Sequence, residues 1–337
     1  MSKVLYATAT GCSNIESITV TDNHQATTST AVVQCVNKTV DIGDQMVVSL
    51  GYVGDNGVVF RGYVKQIEQA VPDDVYTVTA HNVLIRAVDY FIASTNPENP
   101  ITYNRIKAER LVQNLMNLAG LTSFSAGNTY FTFGINYPVE VNLVSAYDFS
   151  KMVADLLAWG LWADRNGTVN FYNRKPYPMD GLSGQPGDVA DTPLKTITDT
   201  SIIDFSPALD EKDLRNRVVV YGSEGVFAQA SSATSYNPRT GSMEQILPNG
   251  FYKTAAAASQ WIDSQSMAQN AANYNLALYN RLADIGNLTV LGDHDLDTRE
   301  VITVNSTEAG INASYYIFFV EHSWSSKGYT TSMQLRR

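Results

Sequence analysis

With 337 residues the chain has room for about two or three domains with cores of their own, and its 23 Lys and Arg against 33 Asp and Glu leave a formal net charge of −10. That balance argues against a partner gripped through phosphates, because such affinity comes from clustered cations releasing counterions and the chain has no basic run. Met1-Ser2-Lys3-Val4 opens into polar sequence and no stretch is apolar enough to span a membrane, so the expectation is a chain made and folded in the cytoplasm with no membrane anchoring.

Lys3 to Ala9, Ile15 to Val20 and Ala31 to Val36 read as entry strands. Val47 to Leu50, Val58 to Ile67 and Tyr76 to Ala80 then make an antiparallel meander. β-Branched and aromatic residues dominate each run, and Gly54-Asp55-Asn56-Gly57 and Pro72-Asp73-Asp74 supply the turns. Asn82 to Asp89 has the spacing of a short helix or closing strand, stopped by Asn96-Pro97-Glu98-Asn99-Pro100. This bounds a first β module at residues 1–90.

The period then changes. Ile106, Leu111, Val112, Leu115 and Leu118 fall on one face of a helix from Arg105 to Ala119, with Gly120 as the residue after its end. A second helix starts at Ser145 as N-cap and runs through Phe149, Met152, Val153, Leu156 and Leu157 to Gly160. Leu161 to Arg165 and Thr168 to Tyr172 flank Asn166-Gly167, a strong hairpin signal. Lys175 to Pro193, rich in Pro, Gly and Asp, reads as a linker with little capacity to bury surface. Residues 91–190 are therefore expected as an inserted α+β domain of two helices and a hairpin.

β character returns with Ile202 to Phe205 and with Arg217 to Gly222, dense enough for a buried strand. The polar excursion from Ser223 to Gly250 is expected as a hairpin ordered by a neighbouring subunit, with a mobile loop as the alternative. Thr254 to Leu282 carries Ala258, Ile262, Ala268, Ala272, Leu276 and Tyr279 at helical spacing and reads as one long helix whose small alanines would let it lie close on a sheet. The closing strands, Val301 to Val304, Tyr315 to Val320 and Tyr329 to Met333, repeat the order and rough spacing of the first meander. The reading is α+β, mainly β: two related antiparallel β modules, the second at 191–337 with the long helix, bracketing the insert. A chance match of two meanders is the alternative.

Little in the sequence carries chemistry. His24, His81, His294 and His322 are scattered, with no pair spaced to put two imidazoles on one helical face, and His81 and His322 read as hydrogen-bonded structural residues in or beside strands. Asp293-His294-Asp295-Leu296-Asp297 starts like a calcium loop, but Thr298 stands where the tight turn needs Gly and Val304 where a bidentate Glu is needed, which leaves an acidic turn. Gly222-Ser223-Glu224-Gly225 lacks the spacing of a nucleophile elbow or a phosphate loop. Asp210 with Glu211 could serve a glycosidase, whose chemistry needs two facing carboxylates, though a solvated turn is the ordinary meaning of such a pair. Cys12 and Cys35 suit reduced thiols in strands, and triplets such as Asn37-Lys38-Thr39 and Asn312-Ala313-Ser314 would accept glycans only in a secreted chain. No catalytic, cofactor-binding or metal residue is assigned, and no enzyme is expected.

The order of parts resembles the baseplate hub, or tail hub, proteins of tailed bacteriophages, related to the spike base of type VI secretion systems. The resemblance covers nearly the whole chain. It rests on Phe60-Arg61-Gly62-Tyr63-Val64 followed by Tyr76-Thr77-Val78-Thr79-Ala80-His81-Asn82, on the two helices with the Asp164-Arg165-Asn166-Gly167 hairpin, and on Phe319-Val320-Glu321-His322 with Gly328-Tyr329-Thr330-Thr331. It implies two tube-like β-barrels per chain and a homotrimeric ring that continues a six-fold tail tube and adapts it to a three-fold spike. It further implies tube protein, spike protein and peripheral wedge proteins as partners, a channel through which DNA passes without specific binding, and a place in the virion tail. Since Arg336-Arg337 closes the second meander, the spike is expected on another polypeptide. The alternative is a carbohydrate-binding or carbohydrate-cleaving β protein at a tail tip.

Overall fold

The computed structural model describes residues 4–72, 74–94, 100–129, 131–182 and 185–337. Asp73 of the expected turn and Asn96 to Asn99 of the expected boundary lie outside the described residues.

The first barrel is built from β1 (Leu5–Ala9), β2 (Cys12–Asn23), β3 (Thr30–Lys38), β4 (Gln45–Tyr52), β5 (Asp55–Ala70) and β6 (Val75–Asn82). These pair in the order β1-β4-β5-β6-β3-β2, all antiparallel, and the pairing of Ala9 with Cys12 closes the circle. Along β3, Ala31, Val33 and Cys35 are fully buried while their neighbours are not, the two-residue alternation of a strand with one inner face. β5 passes β6 closely at Gly62, where a Cβ would sit 2.0 Å from the carbonyl oxygen of His81. Only glycine fits there.

The chain leaves this barrel through α1 (Ile85–Asp89), which settles the helix-or-strand question at Asn82 to Asp89. The insert follows with α2 (Ala108–Leu118) and α3 (Ala146–Leu156). The stripe of α2 buries Leu111, Val112 and Leu115, whereas Leu118 at its end is exposed. The Ser145 hydroxyl caps α3 by accepting from the Asp148 amide. The left-handed residue after α3 is Ala158, with φ 53°, and not Gly160. β7 (Gly160–Ala163) and β8 (Val169–Tyr172) form the hairpin, but through a five-residue loop in which the Asp164 carboxylate accepts from the amides of Asn166 and Thr168. The expected linker buries more than its composition suggests, since Lys175 and Met179 both point inward.

β9 (Thr196–Thr198) and β10 (Ile202–Asp210) begin the second barrel, and the chain then leaves it for an excursion. That excursion holds β11 (Arg217–Tyr221), β12 (Phe227–Ser231), a small hairpin of Ser235–Asn237 with Ser242–Glu244, β13 (Thr254–Ala258) and α4 (Gln265–Tyr279). β14 (Ala283–Leu291), β15 (Val301–Ser306), β16 (Ile311–Ser325) and β17 (Gly328–Arg336) return to finish the barrel in the order β9-β15-β16-β17-β14-β10. This is the order of the first barrel strand for strand, with β9 parallel to β15 where β1 is antiparallel to β4. The fold is mainly β, with two tube-like barrels.

Two expectations need correction. Thr254 to Leu282 is not one helix: its first five residues are β13, laddered in parallel to β11, and the helix begins only after Ser264, whose hydroxyl accepts from the Met267 amide. A run of alanines fits period two as well as 3.6, because no side chain extends far enough to choose, and the ladder decides. The polar excursion is ordered within the chain, since β12 pairs with β11 and the Ser235–Asn237 hairpin pairs with itself.

The hydrophobic cores join residues across the chain. Ala268, Ala271 and Ala272 of α4 share one cluster with Val218 and Val220 of β11 and with Leu111, Leu115, Phe149 and Phe171 of the insert. The second barrel has its own core around Leu288, Ile302, Ile317, Met333 and Leu335. The long helix packs in one core with the insert, its alanine face lying on β11 and β12. Replacing Ala272→Leu should overpack that contact and cost about 1–3 kcal/mol, read as a lowered midpoint in denaturant unfolding with an unchanged slope.

Candidate functional site

The two barrels are fused by a ladder between β2 and β16, running antiparallel from Ser17 opposite Ser325 to Asn23 opposite Phe319. Behind the ladder the Asp22 carboxylate accepts from Arg299 Nη1 at 2.8 Å and from the Thr298 hydroxyl. Asp22 itself holds the buried Arg299 charged, and the Arg299 carbonyl in turn accepts from Arg174 Nε and Nη2 of the insert at 3.0 and 2.8 Å. Arg174 also pairs with Asp191 at 2.9 Å and lies 4.4 Å over the ring of Tyr316. First barrel, second barrel and insert therefore meet in one charged network.

The candidates singled out in the sequence are absorbed by that joint or by ordinary turns. The acidic loop at Asp293 to Asp297 works as a clasp: Lys195 reaches Asp293 at 2.6 Å and Asp295 at 3.1 Å, Arg165 of the hairpin donates to the His294 carbonyl at 2.6 Å, and the His294 ring rests against Gly57 of β5. Burial and the nearby Asp22 push the Asp297 carboxyl up to about 7. His24 stacks on Phe318 with ring centroids 5.4 Å apart and bonds through Nδ1 to the Tyr316 hydroxyl, and burial drives its pKa well below the ordinary value. The hydroxyls of Thr28 and Thr30 lie within hydrogen-bond distance of His81 Nδ1. Asp210 caps the Lys212 amide and Glu211 pairs with Lys253 at 3.0 Å, so the two acids do not face a common point. Gly222 to Gly225 form a tight turn whose Glu224 accepts from the Tyr137 hydroxyl. Burial and the neighbouring Cys35 raise the Cys12 thiol to about 12, leaving both cysteines as protonated, unbridged side chains.

What the sequence did not show is which strand edges remain open. By the duplication β10 corresponds to β2 and β5 to β16. β10 pairs along one edge with β14, and among the described residues its other edge carries no ladder, with Ile203 55% exposed. Among the described residues the outer half of β5, Lys65 to Ala70, pairs only with β6. The two halves of the joint that fuses the barrels thus recur, one in each barrel, each with one edge that carries no ladder among the described residues.

No family model matches the sequence, and no curated protein matches it. Solved structures do. A tail protein from Neisseria meningitidis matches all of this chain and 97% of its own with a TM-score of 0.67 at 10% identity. A 43 kDa tail protein of prophage MuSo2 from Shewanella oneidensis matches all of this chain and 98% of its own, with a TM-score of 0.66 at 10% identity. The chain has a phage tail protein fold. An Escherichia coli type VI secretion component, described as similar to the T4 phage tail proteins gp27 and gp5, matches 98% of this chain and 76% of its own with a TM-score of 0.58 at 10% identity. That likeness across both barrels and the insert accords with the duplicated strand order seen here.

His322 lies in the ladder between the barrels, opposite Val20. Its Nε2 donates to the Leu296 carbonyl at 3.0 Å and its Nδ1 accepts from the Tyr329 hydroxyl at 2.8 Å, a neutral imidazole whose pKa burial lowers to about 4. A base with a lowered folded pKa stabilises the fold above its unfolded value near 6.5, and that contribution is lost as pH falls toward 4. Stability measured by urea unfolding should drop across this window by on the order of 2–3 kcal/mol more in the natural chain than in a His322→Gln variant. Parallel pH profiles for the two would show that the imidazole does not titrate with folding.

Proposed function

We propose that the chain is the structural hub of a phage-type tail, in which three copies close a ring of six tube-like barrels. The observation that carries this is the β2–β16 joint together with its two unpaired equivalents, β10 and the outer half of β5. Open edges invite uncontrolled pairing unless something covers them. Repeating the internal joint between copies covers both edges with one heterologous contact, and such contacts close into a ring when the rotation permits. Six like barrels would continue a six-fold tail tube, and the three-fold axis would seat a trimeric spike. Two equal repeats in one chain thereby resolve the symmetry mismatch.

On this reading the role is structural and not enzymatic. The partners are further copies of the chain, the tube protein and the spike protein, with peripheral wedge proteins on the insert side, and the hub stands in the virion tail. DNA crosses the central channel without specific binding, in keeping with a net charge of −10.

The register is testable. Tyr76-Thr77 and Tyr329-Thr330 align β6 with β17, and following the ladders outward maps the pair Thr21–Glu321 of the internal joint onto Ser206 facing Gln66 of the next copy. A Ser206→Cys, Gln66→Cys double variant should form intermolecular disulfides on mild oxidation, giving covalent trimers on non-reducing gels, while either single variant stays uncrosslinked. Native mass spectrometry of the natural chain, alone and bound to its tail partners, should give three copies. A two-copy or six-copy ring, with no crosslink in the double variant, would overturn the proposal.

A further inference from the structure

Two cavities meet beside the excursion. One, of about 420 Å³, runs between α3 and β13, with Asp148, Lys151 and Met152 on the helix side and Ala255 to Ala258 on the strand side. β13 pairs with β11 along one edge, and among the described residues its other edge carries no ladder. Its side chains are nearly all alanine, so nothing bulky guards that edge.

The second cavity, of about 500 Å³, is lined by seven Lys and Arg against two Asp, in a chain where acids outnumber cations by 33 to 23. Lys151, Asp155, Ala255 and Tyr279 line both cavities, so the groove along β13 opens into the cationic cleft. Arg174 and Arg299 are occupied by Asp191 and Asp22. Lys151 pairs with Asp155, whereas Arg281 and Arg215 meet no carboxylate among the described residues. The Arg281 guanidinium is sandwiched between Tyr177 at 3.5 Å and Tyr236 at 4.9 Å, and its Nε is buried without a hydrogen-bond partner. Arg336 Nε is likewise buried without a partner, though its Nη1 lies 4.0 Å from Asp213, and Arg215 donates to the carbonyls of Lys212 and Leu214.

We propose that groove and cleft together form a docking site for an extended acidic segment of a partner protein, which adds as a strand to β13 and delivers carboxylates to Arg281, Arg215 and Arg336. An open strand edge selects an extended main chain, because its free donors and acceptors repeat at the spacing of a strand. The cation excess selects acids at one end of that segment. A guanidinium clamped between two rings is already oriented, so it loses little freedom on forking a carboxylate. β13 spans five residues, or about 17 Å, enough to register a short peptide before it reaches the cleft. The site uses neither β10 nor the outer half of β5, and it stands whether or not three copies form a ring.

The test is fluorescence anisotropy with a labelled peptide of alternating threonine and valine ending in two glutamates. The natural chain should bind it, and Arg281→Gln should weaken binding at least tenfold. Arg215→Gln, away from the tyrosine sandwich, serves as the second variant, with thermal melts confirming that both remain folded, and it should weaken binding in the same direction. A peptide of identical sequence with alternate backbone nitrogens methylated should bind at least tenfold more weakly, since it cannot complete the ladder. Equal binding of the methylated peptide, displaced by pyrophosphate, would mean a site for free oxyanions and overturn strand addition. Absence of binding, or binding unchanged in both folded variants, would overturn the proposal altogether.

Discussion

The ladder between β2 and β16 is the constraint on which the rest depends. It turns two barrels of six strands into a single sheet, and it works because β2 and β16 are long enough to serve three partners each: β16 gives its first residues to β15 and its later ones to β17 and β2, while β2 pairs with β1, β3 and β16. A barrel normally abolishes its edges; this one opens its wall to pass pairing on to the next. The second barrel repeats that opening with nothing among the described residues to fill it.

A ladder alone would leave the barrels free to hinge, and the side chains behind it resist that. Arg299 is held in a nearly dry position by Asp22, and its carbonyl is held by Arg174. A buried guanidinium stripped of its carboxylate is costly, on the order of 3–5 kcal/mol, so the network strongly favours one arrangement of the barrels and the insert. The acidic loop at Asp293 to Asp297 adds Lys195, Arg165 and the contact of His294 with Gly57 to the same region. A segment that reads like an incomplete ion site is satisfied by the protein's own cations.

The charge of the chain is unevenly spent. Acids dominate overall, yet seven cations gather in the cleft between α3, α4 and the second barrel. Several are anchored by aromatic rings: Arg174 over Tyr316, Arg281 over Tyr177 and Arg336 over Phe318. Rings hold a guanidinium in place without neutralising it. The cleft therefore keeps positive character inside an acidic molecule.

The amino-acid sequence by itself determined the elements and their doubling. Strand alternation, the Tyr-Thr openings at Tyr76 and Tyr329, the helical stripe of Leu111, Val112 and Leu115 and the cap at Ser145 are local patterns, and local sterics and burial suffice to produce them. It also placed His81 and His322 as hydrogen-bonded residues in or beside strands, and both rings have such partners. The fate of Ala255 to Ala258 was decided by the tertiary structure, since alanine carries no periodic signal and only the ladder to β11 makes the run a strand. The same holds for α4, whose alanine face suited any flat sheet and found the one beside the insert. The open edges of β10 and β5 and the cationic cleft were likewise beyond the sequence. An edge is defined by which strand fails to arrive, and a cleft by residues as far apart as Arg174 and Arg336, and both depend on long-range pairing that no local pattern encodes.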